Sequence, residues 1–126
     1  MAFAPAPRPA ILLLEDDTPL AGLIMAALEN EFDVERAANV EEAVLLLGTR
    51  TFDLLVCDHM MPGKKQGLDF LVEAQERFPA AKRVLMTGYM NPDLISRSMA
   101  VAGLSACIMK PLRMDDLKTQ LRKVLA

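Results

Sequence analysis

Five short apolar runs alternate with five stretches of helical periodicity along the chain, the pattern of a parallel sheet covered on both faces. The runs are Ile11 to Glu15, Asp33 to Ala37, Leu54 to Asp58, Arg83 to Thr87 and about Ala106 to Met109. The second is polar at alternate positions, Asp33 and Glu35, as an edge strand is. The third is apolar up to its terminal acid, which places it in the centre of the sheet. Between the runs, Thr18-Pro19 predicts the N-cap and first-turn proline of a first helix. Its buried face holds Leu20, Leu23, Ile24, Ala27 and Leu28. Asn39, with Glu42 three residues on, predicts a variant capping box for a second helix that Gly48 ends. A third helix covers Leu68 to Phe78 ahead of Pro79. A fourth starts at Asn91-Pro92-Asp93 and stops at Gly103. A fifth runs from about Met114 to Leu125 and buries Leu117, Leu121 and Val124 or Leu125. The expected fold class is α/β, a doubly wound sheet of five parallel strands.

What the runs end in carries the chemistry. The first ends in Glu15-Asp16-Asp17, and the third ends in Asp58 ahead of the turn-forming His59-Met60-Met61-Pro62-Gly63. The fourth ends in Thr87-Gly88 and the fifth in Lys110-Pro111. Open α/β sheets bind ligands outside the C-terminal tips of their strands. Acid, acid, hydroxyl and amine gathered there suit a divalent cation and a phosphoryl group. An aspartate carboxylate can accept a phosphoryl group as a mixed anhydride. Two anions must meet in that step, so Mg²⁺ is needed to screen them. Glu15, Asp16 and Asp58 supply the oxygen ligands that Mg²⁺ prefers, with Mn²⁺ as the substitute. Lys110 is a compact charge on a long stem, suited to the carboxylate and then to the phosphoryl oxygens. Thr87 offers a hydroxyl donor to the same oxygens. Asp17 reads as a solvated or capping acid, His59 as an outward loop residue, and Lys64-Lys65 as a solvated pair. The nine methionines read as core filler.

Composition narrows the class. At 126 residues and 52% hydrophobic content the chain is one domain with a sizeable core. No apolar run is long enough to suggest a membrane span. The net charge of −3 argues against an extended nucleic-acid footprint. Cys57 and Cys107 both lie in apolar runs, the usual place of reduced, buried thiols, which points to the cytoplasm. Alternating prolines make residues 1–9 an extended tail outside the fold, leaving 10–126 as the domain.

Five elements stand in order and at nearly one family's spacing: Glu15-Asp16, Asp58, the Met61-Pro62 and Gly67 that follow it, Thr87, and Lys110-Pro111. In them the chain resembles the CheY-like receiver domain of two-component response regulators, over everything after the proline-rich tail. The resemblance implies a flavodoxin-like sheet of order 2-1-3-4-5. It implies Asp58 as phosphoacceptor in a Mg²⁺-dependent transfer from a histidine kinase or histidine phosphotransfer protein. It implies the Met60 backbone carbonyl as a further metal ligand, a cis bond between Lys110 and Pro111, and a switch acting through Thr87 and Lys110. A downstream protein would meet the face of the fourth helix, fifth strand and fifth helix, and a homodimer is a further partner the resemblance allows. Direct nucleic-acid or membrane contact is not expected of this domain.

Three departures from the family pattern bear on the switch. The loop from Asp58 to Gly67 and the stretch from Thr87 to Lys110 are each one residue longer than is common. Cys107 stands where family members commonly carry Tyr or Phe, so no ring swings inward there, and Tyr89 is the candidate to take over part of that role. Met60 and Tyr89 occupy the positions that control water's approach to the phosphoryl group. Both are bulky and neither orients a water, which implies a slow loss of the phosphoryl group and no enzymatic turnover. A hydrolase using Asp58 as a transient nucleophile needs a second acid to protonate the leaving group, and the Asp58 loop offers none. A flavodoxin-like cofactor binder needs a Ser/Thr/Gly-rich loop where Glu15-Asp16-Asp17 stands. If the chain ends at Ala126, its output is a protein contact; the other reading is the N-terminal receiver excised from a longer DNA-binding or enzymatic regulator.

Overall fold

A computed structural model of the chain describes residues 7–59, 67–88 and 92–126. Five strands, β1 (Ala10–Leu14), β2 (Asp33–Ala37), β3 (Leu54–Asp58), β4 (Lys82–Thr87) and β5 (Ala106–Met109), alternate with five helices. The helices are α1 (Thr18–Leu28), α2 (Val40–Leu47), α3 (Gly67–Arg77), α4 (Pro92–Ala102) and α5 (Met114–Leu125). All strand pairs are parallel, in the order β2-β1-β3-β4-β5. The order reverses between β1 and β3, whose C-terminal tips therefore flank the crevice where such sheets hold ligands.

Period-two alternation inside the central strands divides the core in two. Leu12, Leu14, Leu55, Cys57 and Leu85 face α2, α3 and the end of α4. Ile11, Leu13, Leu54, Val56, Val84 and Met86 face α1 and α5. Because both faces are covered, β1 and β3 bury every residue, and this is why they read as continuous apolar runs. Each fully buried leucine contributes about 1.5–3 kcal/mol. The strand tips therefore stand on a rigid platform.

The helix starts follow from local chemistry, with one correction. Asp17, not Thr18, is the N-cap of α1: its side chain accepts the Leu20 N–H at 3.0 Å, and Thr18 is already helical. The longer reach of a carboxylate placed one residue earlier wins over the hydroxyl beside Pro19. For α2, Asn39 accepts the Glu42 N–H at 2.9 Å, and Glu42 reaches back to the Ala38 N–H at 2.7 Å. That is a capping box shifted by one residue. Leu23, expected on the buried face of α1, is 62% exposed; Ala21 takes the inward position, and Leu20 and Ala27 are half-buried. Gly103 (φ 58°) ends α4 in the left-handed region that favours glycine.

At the N-terminal end of the sheet, acids and bases meet in two clusters. Arg50 pairs with Asp33 at 2.9 Å and Glu35 at 3.4 Å. Glu31, in the turn after α1, pairs with Arg122 and with Lys118 of α5. Arg8 donates to the Glu29 carbonyl at 2.6 Å, and the Pro9 carbonyl accepts the Asp33 N–H at 2.9 Å. The chain is thus tied to the fold from Arg8 onward.

Candidate functional site

Glu15 follows β1 directly, and its N–H donates to the Ala37 carbonyl at 3.1 Å, so β2 fixes where the turn begins. Its side chain is fully buried. Oε2 accepts the Asp17 N–H at 3.3 Å, and Oε1 accepts from Lys110 Nζ at 3.2 Å. Asp58, the last residue of β3, is buried, with Oδ1 3.2 Å from the same Nζ. Asp16 is exposed beside them. Carboxylate oxygens of Glu15, Asp16 and Asp58 lie within 4.8 Å of one another. Thr87, buried at the tip of β4, stands next to this group in the sheet, and its carbonyl accepts the Lys110 N–H at 2.7 Å. The peptide bond between Lys110 and Pro111 is cis.

Two buried carboxylates share one ammonium with a third acid beside them, and the electrostatics register the shortage. Burial, and then the charge of Asp58, push the Glu15 carboxyl up from 4.5 to about 7, although the Asp17 N–H and Lys110 pull the other way. Burial works against the charge on Lys110, but the carboxylates of Asp58 and Glu15 outweigh it and raise its pKa. The donors fit Mg²⁺: they are hard carboxylate oxygens, two anchored in the interior and one open to water, which leaves room for the waters this ion keeps. Glu15, Asp16 and Asp58 are the residues that would hold it.

Gly67 has a steric reason to be glycine. A Cβ there would stand 2.0 Å from the Asp58 carbonyl oxygen and 2.8 Å from Cys57 Sγ. The start of α3 thus packs directly on the backbone of the acid. His59 departs from the outward placement expected of it. It is half-buried, its N–H donates to the Met86 carbonyl at 2.8 Å, and its Nδ1 is enclosed without a hydrogen-bond partner among the described residues. Cys57 is fully buried, and burial pushes its thiol well above the usual range, which keeps it protonated and unreactive. Cys107 is only half-buried, against the α3/α4 side of the core. Both cysteines stand opposite Leu85 in register, two strands apart, about 10 Å and beyond the reach of a disulfide.

Met60 and Tyr89 lie outside the described residues, as do Met61, Pro62, Lys64, Lys65 and Asn91. One side chain at the site escaped the sequence reading. Arg36 of β2 reaches the turn after β1 and donates to the carbonyls of Glu15 and Asp16. Its sequence signal, a basic residue in an edge strand just before the strand's end, is too common to mark it.

Comparison with known proteins agrees with this geometry. The model of the response regulator receiver domain matches residues 11–122. The hydrogenase transcriptional regulatory protein HoxA of Cupriavidus necator is 30% identical over 115 residues, covering 91% of this chain and 24% of that protein. The transcriptional regulatory protein ZraR of Escherichia coli O157:H7 is 30% identical over 117 residues, covering 92% of this chain and 26% of that protein. The chain therefore spans about a quarter of the length of these relatives. Among solved structures, a CheY-like response regulator receiver domain protein from Methanospirillum hungatei JF-1 superposes with a TM-score of 0.85 at 30% identity, covering 94% of both chains. A response regulator from Thermotoga maritima gives 0.84 at 28% identity, covering 94% of this chain and 98% of that one.

Proposed function

The chain belongs to the response regulator receiver domain family, and we propose that Asp58 is its phosphoacceptor, supplied by a phosphohistidine of a histidine kinase or histidine phosphotransfer protein. The observation that carries this reading is the single ammonium of Lys110 placed 3.2 Å from both Glu15 and Asp58, with Asp16 beside them. In the reaction an Asp58 carboxylate oxygen attacks phosphorus while the donor nitrogen leaves on the opposite side. Lys110 keeps Asp58 oriented beforehand and turns to the incoming phosphoryl oxygens. The Thr87 hydroxyl donates to the same oxygens. Mg²⁺ held by Glu15, Asp16 and Asp58, or Mn²⁺ in its place, supplies charge neutralisation of the phosphoryl group when bound. The Met60 carbonyl is proposed as one more ligand.

The protein is then a switch and not a turnover enzyme. Bulky Met60 and Tyr89 are proposed to keep an in-line water away, which makes the phosphoform long-lived. Output is proposed at the face of α4, β5 and α5, where Val101 and Met109 stand exposed for a downstream protein or a second copy of the chain. Among the described residues no helix is long and apolar enough to cross a membrane. The two free thiols fit a cytoplasmic setting.

The test is incubation with acetyl phosphate and Mg²⁺, read by intact mass. One phosphoryl group per chain is expected, and none after chelation or in Asp58→Asn. Full labelling of Asp58→Asn overturns the reading.

A further inference from the structure

Arg36 stands apart from the acids and the lysine, yet it is built into the same corner. It pairs in register with Leu13, so it rises on the sheet face that α1 and α5 cover. Its Nε donates to the Glu15 carbonyl at 3.0 Å. Its Nη2 donates to the Asp16 carbonyl at 3.1 Å and to Thr18 Oγ1 at 3.2 Å. The three acceptors span the turn from β1 into α1. All are neutral oxygens, and Arg36 makes no ion pair with a described residue. The guanidinium is therefore committed to the shape of this turn.

That shape decides where two carboxylates point. A carbonyl held in place fixes its peptide plane, and with it the direction in which the neighbouring side chain leaves the backbone. The planar fork of arginine fixes two carbonyls relative to each other, which a lysine ammonium cannot do. Glu15 and Asp16 repel each other and Asp58, so without such a tie the turn would relax by spreading them apart.

We propose that Arg36 is a positioning residue for the divalent cation: it holds Glu15 and Asp16 converged on Asp58. The proposal rests on the reading of this corner as a Mg²⁺-dependent phosphoacceptor site. It adds a residue that touches neither the ion nor the phosphoryl group. Partners that orient metal ligands commonly contribute about 10- to 100-fold in metal affinity.

The experiment is a series of thermal melts over Mg²⁺ concentration for the wild type, Arg36→Met and Arg36→Lys, with phosphorylation by acetyl phosphate measured alongside. Arg36→Met is expected to weaken apparent Mg²⁺ affinity about tenfold. Arg36→Lys, which keeps the charge but loses the fork, is expected to fall between the two. At saturating Mg²⁺ the phosphorylation rate is expected to stay within about twofold of the wild type, because the residue acts through the ion's ligands. If both variants melt lower by a constant amount at every Mg²⁺ concentration, with affinity unchanged, Arg36 is only a structural tie and the proposal fails. Should Arg36→Met not fold, unchanged affinity in Arg36→Lys is enough to overturn it. A wild type whose melting ignores Mg²⁺ overturns the site reading along with this one. A wild type that responds, beside variants that respond equally, overturns the role of Arg36 alone.

Discussion

Glu15 and Glu31 each accept hydrogen bonds from basic side chains, yet the protein moves their acidity in opposite directions. Arg122 and then Lys118 hold the Glu31 carboxyl down at about 2, at the open N-terminal end of the sheet. At the other end, burial and the neighbouring charge of Asp58 push Glu15 up to about 7 despite Lys110. The difference lies in the count of charges and in the solvent. Glu31 has two cations to itself and water around it. Glu15 shares one ammonium with Asp58, in a corner that also receives Asp16. The N-terminal end joins α1, β2 and α5 by matched pairs. Among the described residues the C-terminal end is left short of positive charge, which suits the proposed uptake of a cation and then of a phosphoryl group.

Removing the shared ammonium is the strongest way to break this contrast. Lys110→Met, measured by urea unfolding with chelator present, is expected to cost about 2 kcal/mol at pH 8, since two buried carboxylates lose the cation they share. The loss should shrink at pH 6, where Glu15 takes up a proton and needs no cation. Equal loss at both pH values would show that the lysine is held there by packing alone.

A smaller effect is expected from the ion. At tenfold above its dissociation constant, Mg²⁺ should stabilise the fold by about 1.4 kcal/mol. Asp16→Ala should lose that gain without lowering metal-free stability. The proton and the ion compete for Glu15, so the gain should be larger at pH 8 than at pH 6. The metal-free baseline runs the other way. Between 4.5 and about 7 the native state keeps a proton that the unfolded chain has released, so stability contributed by Glu15 falls as pH rises through that window. A Mg²⁺ effect that grows on acidification would contradict this linkage.

The smallest effect belongs to the N-terminal end. Glu31→Gln should lower stability slightly, less so at high salt, and leave the Mg²⁺ response untouched. A changed Mg²⁺ response would mean that the two ends are coupled.

Much of this arrangement is legible in the sequence, because central strands buried on both faces leave apolar runs and the acids stop those runs abruptly. Strand tips, helix ends and the set Glu15, Asp16, Asp58, Thr87 and Lys110 follow from that pattern together with the family spacing. What escapes it depends on side-chain reach between elements. Arg36 looks like one more polar position of an edge strand until its guanidinium is found on the turn after β1. Asp17 and Thr18 are both capping types, and only the backbone's path, extended at Asp17 and helical from Thr18, decides between them. Leu23 looks like core by spacing, but α1 is turned so that Ala21, Ile24 and Leu28 face the sheet and Leu23 faces solvent. Gly67 is marked by the family pattern, while its reason, that a Cβ there would stand 2.0 Å from the Asp58 carbonyl oxygen, is purely three-dimensional.

The identity of the acceptor is tested most directly by trapping the phosphoform with borohydride, which reduces an acyl phosphate to an alcohol, and mapping the altered peptide by mass spectrometry. A single modified residue at Asp58, present only with Mg²⁺ and phosphodonor together, is the expected result. Modification at Asp16 or Asp17, or a stable phosphohistidine at His59, would contradict it.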